Sequence, residues 1–296
     1  MPKLEDKVRE SIARLARQIK VEGPFVTDRH TNYLVTGLTD RTCADPADSG
    51  DPPLCCLCWC LLSLLGLFYE ADLSINTLII GQGHQARENL EDAIRRHLRS
   101  DEDLEEEQIE RSRDPLIHEL IAHVLLLAHR ERTLIPLWLN DLQNMRMPHL
   151  ATNNQGVDLI GFSIAGGESV PTLGEMKAYE DDPWGGLSDA CGKLDEIRKG
   201  LHNTEIRGAL KSMNFNNDRG QLASNIWMDV GPFAAVIGFD ARYDINIQRQ
   251  SRAQIVIDQP VDRLFFIAIP YDQMRDSFEE IIRILLEQAR SVEQLQ

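Results

Sequence analysis

Apolar positions along this chain follow a helical period first and an alternating one later. Pro2 to Lys20 is charged and amphipathic and reads as a helix. Asp40 to Pro53, rich in Asp, Pro and Gly, reads as a loop. The longest apolar run, Leu54 to Phe68, lies in a second helical segment at 53–70. Its fifteen residues fall short of the roughly 20 that span a bilayer, so a buried core helix is expected. A third helical stretch, 84–111, carries the acidic run Asp101 to Glu107, which reads as a solvated face. Asp114-Pro115 then has the form of an N-cap followed by proline at the first helical position. Leu116, Ile117, Leu120, Ile121, Val124, Leu125 and Ala128 give the helix 115–130 a broad apolar face.

Beyond Asn154 the period changes. Val157 to Ile164 and Val170 to Tyr179 are strand candidates joined by the turn signal Ala165-Gly166-Gly167-Glu168. Leu187, Ala190, Leu194, Ile197 and Leu201 return to helical spacing. Phe233 to Phe239 and Leu264 to Ile269 are further strands, with Gln254 to Ile257 a third between them. Asp272 opens a closing amphipathic helix to about Glu293. The order predicts an α/β domain over 113–296, preceded by an all-helical lobe over 1–112.

With 43% hydrophobic and 26% charged residues, the chain belongs among globular proteins and not among disordered ones. No basic segment followed by an apolar stretch opens it, so a cytoplasmic protein without a membrane anchor is expected. Four of the six cysteines crowd into Cys55-Cys56-x-Cys58-x-Cys60, while Cys43 and Cys191 stand alone. Zinc sites pair ligands as C-x2-C and draw a second pair from elsewhere, and such close neighbours make poor disulfides. Small apolar core residues are the expected role. The net charge of −16 lacks the basic footprint of a protein that holds nucleic acid unaided.

The chemistry concentrates in the predicted hairpin. An acidic-x-Lys triplet is weak evidence, because 7 lysines and 47 acidic residues in 296 positions yield roughly one by chance. Two occur, Glu5-Asp6-Lys7 on the first amphipathic segment and Glu175-Met176-Lys177 in the second strand candidate. Alternation puts Glu175 and Lys177 on one face. A two-residue loop at Gly166-Gly167 sets Asp158 directly opposite Glu175, with β-carbons about 4.5–5.5 Å apart. Carboxylates so close repel unless a divalent cation such as Mg2+ or Mn2+ lies between them. The plain alternative is a cross-strand ion pair on a solvent-facing side of the hairpin.

Gly156-Val157-Asp158, a turn, Gly174-Glu175-Met176-Lys177, a helix and a further strand resemble the core of the PD-(D/E)xK nuclease superfamily. The resemblance implies a restriction-endonuclease-like fold, a mixed central sheet flanked by helices. It also implies that Asp158 and Glu175 hold Mg2+ while Lys177 helps activate the attacking water. Gly156 to Phe162, Leu173 to Tyr179 and Val236 to Asp240 are similar, more narrowly, to the nuclease subunit of Hachiman anti-phage systems. That likeness implies an effector working with a helicase that delivers the DNA, with no nucleotide cofactor on this chain. Relatives carry an acid on the helix before the hairpin, which makes Glu119 a candidate third metal ligand. Its plain alternative is a surface acid paired with His123. The rival functions are a non-catalytic interaction subunit on the same fold and a metal-dependent RNase.

Lys193, Arg198, Lys199, His202, Arg207 and Lys211 form a locally basic segment, either a phosphate-contacting face or a solvated helix face interspersed with Asp195, Glu196 and Glu205. His118-Glu119-Leu120-Ile121-Ala122-His123 is not a zinc-protease motif. Its histidines are one residue too far apart, some 140° around a helix. Gly81-Gln82-Gly83 lacks the third glycine of a dinucleotide fingerprint and reads as a turn.

Overall fold

A computed structural model describes residues 4–26, 30–42, 50–66, 72–73, 90–99, 104–128, 142–146, 148, 156–165, 168–213, 232–243 and 264–293. The elements are α1 (Leu4–Gln18), β1 (Lys20–Val26), β2 (Thr31–Thr36), α2 (Pro53–Leu65), β3 (Asp72–Leu73), α3 (Leu90–His97), α4 (Asp114–Ala128), β4 (Leu142–Arg146), β5 (Leu159–Ala165), β6 (Glu168–Ala178), α5 (Pro183–Arg198), α6 (Asn203–Ser212), β7 (Phe233–Asp240), β8 (Leu264–Tyr271) and α7 (Met274–Glu293). Among the described residues no helix is long and apolar enough to cross a membrane.

The strands form one mixed sheet in the order β1-β2-β8-β7-β6-β5-β4-β3. β2, β8, β7 and β6 run parallel. β5 is antiparallel to β6, β4 to β5, β3 to β4 and β1 to β2. β2 and β6 are therefore the strands at which the sheet changes from parallel to antiparallel pairing.

Alternation along the central strands sorts side chains to two cores. Ala234 and Val236 of β7 join one apolar cluster with residues of α1, α2, α3, α4 and α7. Phe233, Ala235, Ile237 and Phe239 join the other, covered by α5 and α6. α2 is buried on every side except at Cys55, and Cys56, Cys58 and Cys60 sit among its leucines at 1% exposure or less. Cys58 Sγ reaches the Ile281 carbonyl at 3.9 Å, where α2 meets α7.

Two expectations change. The first 112 residues are not all-helical, since β1 and β2 lie within them and β2 pairs with β8 through Thr31–Leu34. The apolar cluster of α1, α2 and α3 continues into α4 and α7, across the expected 112/113 boundary. The long helix at 84–111 is also broken in two. α3 ends at His97, and a new helical turn starts only at Glu106–Gln108. That turn runs through a π-helical turn, Ile109–Arg113, into α4. Asp114 thus continues a helix and does not open one; its carboxylate takes the guanidinium of buried Arg113 at 2.7 Å. The Gly166-Gly167 loop, the strand at Gln254 to Ile257 and Gly81 to Gly83 lie outside the described residues.

Candidate active site

The register of the hairpin is the one a two-residue loop requires: Ala165 pairs with Glu168, Ile160 with Leu173 and Leu159 with Gly174. One step outward, Asp158 meets Glu175 where β5 begins. Close packing at this step depends on Gly174, because a β-carbon there would sit 2.7 Å from the Ala234 carbonyl oxygen and 3.2 Å from Leu159 Cβ. The Met176 backbone N–H donates to Asp158 Oδ2 at 2.8 Å, which fixes that carboxylate against β6. Lys177 Nζ lies 3.0 Å from Glu175 Oε2 and 3.5 Å from Asp158 Oδ2. The three predicted residues therefore converge, with one ammonium shared by two carboxylates.

Burial separates their roles. Glu175 is 1% exposed, and its Oε1 is buried with no hydrogen-bond partner among the described residues. Desolvation pushes its pKa up to about 8; the charge of Asp158 adds to the effect and Lys177 opposes it. Burial works against the Lys177 ammonium too, yet the two carboxylates hold its pKa above the ordinary lysine value. An open cavity of about 750 Å3 is lined by Asp158, Lys177 and the half-buried Glu119 of α4. It lies at the C-terminal ends of β6 and β7, beside the π turn and the start of α7. Clefts at the carboxyl ends of parallel strands are where open α/β sheets hold ligands.

Behind this wall sits a neutral histidine. His118 is fully buried, which pushes its pKa down to about 4. Nε2–H donates to the Val236 carbonyl at 3.3 Å, so Nδ1 accepts the Tyr271 hydroxyl at 2.8 Å. Gly238 is needed beneath the ring, since a β-carbon there would fall 2.5 Å from His118 Nδ1. His123 does not pair with the Glu119 carboxylate through Nδ1; that nitrogen donates to the Glu119 backbone carbonyl at 2.7 Å.

The backbone entering Asp158 is held from the other side. Arg146 of β4 donates to the Val157 carbonyl at 2.5 Å and pairs with Glu205 of α6 at 2.5 Å. Glu205 in turn accepts the Val157 N–H at 3.4 Å. At the C-terminal end of β7, Asp240 is buried, binds Arg242 at 2.9 Å and accepts the Met274 N–H at 3.2 Å, capping α7. None of Lys193, Arg198, Lys199, Arg207 and Lys211 lines the cavity. Four of them ride on α5 and α6 and Lys199 caps the end of α5; Arg198 and Lys199 share Asp195, and Lys193 lies 3.8 Å from Glu196.

Among the described residues no three His, Cys, Asp or Glu side chains are drawn together as a metal cluster. The donor set still suits a hard cation of the Mg2+ kind, which takes one or two protein carboxylates and keeps several waters. Asp158 and Glu175 are the two acids, and the partnerless Glu175 Oε1 is a lone pair left for such an ion. Sequence reading passed over Arg146, Tyr271 and Tyr243, and took Glu205 only as part of a solvated helix face. The one signal for Tyr243 was its position just past the end of a parallel strand next to β6. Comparison with protein-family models, curated proteins and solved structures gives no match for this chain.

Proposed function

We propose that this chain is a metal-dependent nuclease that hydrolyses DNA phosphodiester bonds on a restriction-endonuclease-like core. In this reading it is the effector subunit of an anti-phage complex in which a helicase delivers the DNA. The observation that carries the catalytic reading is the convergence of Asp158, buried Glu175 and Lys177, with Asp158 and Lys177 on the cavity wall and one Glu175 oxygen left without a partner. Asp158, Glu175 and Glu119 would hold Mg2+ or Mn2+, which supplies Lewis acidity toward water and phosphate. Lys177 then orients the attacking water and donates to the phosphate oxygen that gains charge in the transition state. The Met176 N–H keeps Asp158 aimed at the cavity, and burial keeps competing water from Glu175. The helicase partner is favoured by the net charge of −16, which leaves this chain poorly equipped to hold a phosphate track alone.

A second reading has its own support. Lys177 already compensates both carboxylates, and no third ligand closes on them among the described residues, as in a non-catalytic subunit that keeps the trio as an ion-pair network. The two part in one assay. Purified protein with Mg2+ or with EDTA is offered plasmid, linear DNA, single strands and RNA, with and without a candidate helicase. The nuclease reading expects Mg2+-dependent cutting of DNA, and its loss in Glu175→Ala and Lys177→Ala proteins that still unfold cooperatively. Unchanged cutting in either variant would remove the trio from catalysis, and cutting of RNA alone would reassign the substrate.

A further inference from the structure

Six carboxylates line the cavity, Glu110, Asp114, Glu119, Asp158, Glu180 and Asp181, against two cations, Arg111 and Lys177. A groove that follows a duplex needs a run of cations, because neutralising phosphates supplies its affinity. This wall repels such a track beyond the phosphate at the reactive centre. Further grip on a polynucleotide must come from uncharged parts of it. Two aromatic rings line the same cavity, Tyr179 and Tyr243.

Tyr179 is tied down: its hydroxyl donates to Asp189 Oδ2 at 2.5 Å and its backbone N–H to the Gly238 carbonyl at 2.9 Å. Tyr243 is different. It follows the end of β7 and is 39% exposed, one of few large apolar side chains so open among the described residues. The Arg242 guanidinium lies 5.9 Å from its ring centroid. That guanidinium is fixed by Asp240 at 2.9 and 3.0 Å and by Glu180 at 3.2 Å. An open tyrosine beside an anchored guanidinium makes a stacking platform that attracts the uncharged face of a nucleobase. Inside a duplex both faces of a base are covered by its neighbours, so only an unpaired nucleotide can reach the ring.

We infer that Tyr243, with Arg242 beside it, is a stacking subsite for an unpaired nucleobase, and that the substrate class is single-stranded or frayed DNA. The inference rests on the nuclease reading for its substrate, but its test reads binding. Fluorescence anisotropy of a short labelled DNA single strand, and of the blunt duplex of the same sequence, is measured with Ca2+ present to offset the acidic wall. The single strand is expected to bind roughly tenfold tighter than the duplex or better, the scale of one to two stacked bases. Tyr243→Ala is expected to lose roughly fivefold or more, and Tyr243→Phe, which keeps the ring, to hold the wild-type affinity. A 2-aminopurine in the strand is quenched by the wild-type protein and by Tyr243→Phe but not by Tyr243→Ala.

Equal affinity for strand and duplex, wild-type binding by Tyr243→Ala, or no binding of the strand would each overturn the subsite. Cutting is scored separately. Tyr243-dependent binding by a protein that cuts nothing overturns the nuclease reading and leaves the subsite standing. Cutting of blunt duplex by Tyr243→Ala at the wild-type rate does the reverse.

Discussion

His118 engages both ring nitrogens across three elements: its own α4, the Val236 carbonyl of β7 and the Tyr271 hydroxyl of β8. Held neutral by burial, with its pKa down to about 4, it is a store of acid sensitivity. An unfolded histidine titrates near 6.5, so on acidification the unfolded chain takes up the proton first. Stability present above pH 6.5 is then lost as pH falls toward about 4, by on the order of 3 kcal/mol from this residue. Urea denaturation at several pH values between those limits measures the slope, and His118→Gln should make it shallower. An identical slope in the variant would mean that other groups carry the acid response. At this scale the sequence was readable where partners are neighbours. Asp158, Glu175 and Lys177 follow from the mirror symmetry of one hairpin, which periodicity and a Gly-Gly turn reveal. His118 surfaced only as half of a motif with the wrong spacing, because its meaning lies in Tyr271, 153 positions away. The near-complete burial of Glu175 was likewise hidden, since alternation gives a face but not what covers it.

Among elements, β4 at one side of the hairpin illustrates how a site can be held by strands that carry none of its chemistry. Arg146 clamps the Val157 carbonyl while Glu205, from α6, holds both Arg146 and the Val157 N–H. Asp158 is the next residue, so the clamp sets where its carboxylate starts. Arg146→Met should leave the sheet formed while letting Asp158 drift, and misplacements near 1 Å cost up to about a hundredfold in rate. On the proposed nuclease reading, the expected signature is a fall in kcat of roughly ten- to a hundredfold with KM little changed, in a protein whose circular dichroism matches wild type. A fall in KM-controlled binding alone, with kcat intact, would place Arg146 on the substrate. Long periodic segments such as α2, α4 and α7 were legible to within a few residues. The stretch after α3 was misread as one helix because propensity is continuous there, whereas the chain breaks it between His97 and Glu106 and re-enters α4 through a π turn. Arg113 accounts for that turn's seat. Its buried guanidinium joins Asp114 and Glu279 of α7, a tertiary pairing that no local pattern announces.

For the molecule as a whole, the expected separation of a helical lobe from a catalytic domain is where long-range pairing overrode local pattern. Lys20 to Val26 has largely exposed side chains and contains Gly23-Pro24, and Thr31 to Thr36 is only six residues long. Neither announces a strand, and the parallel partner of β2 is β8, more than two hundred residues further along the chain. The consequence is physical: α1 and α2 cover the face of the sheet on which α4 and α7 lie, and Leu57, Leu61 and Leu64 are each 1% exposed or less in that shared core. Burying one such side chain stabilises by about 1.5–3 kcal/mol, while a whole domain keeps only about 5–15 kcal/mol. Removing residues 1–112 would uncover Phe278, Ile281 and Leu285 of α7 together with much of α4, and would leave β8 with an open edge. A chain beginning at Pro115 or nearby should therefore fail to fold alone, despite carrying Asp158, Glu175 and Lys177. The expected result is loss of the near-ultraviolet circular dichroism signal and of a cooperative thermal transition. Refolding with a separately expressed 1–112 fragment should restore both, because the missing surface is then supplied in trans. A cooperative, metal-dependent DNA-cutting fragment from 113–296 would show that the N-terminal segment is an accessory after all.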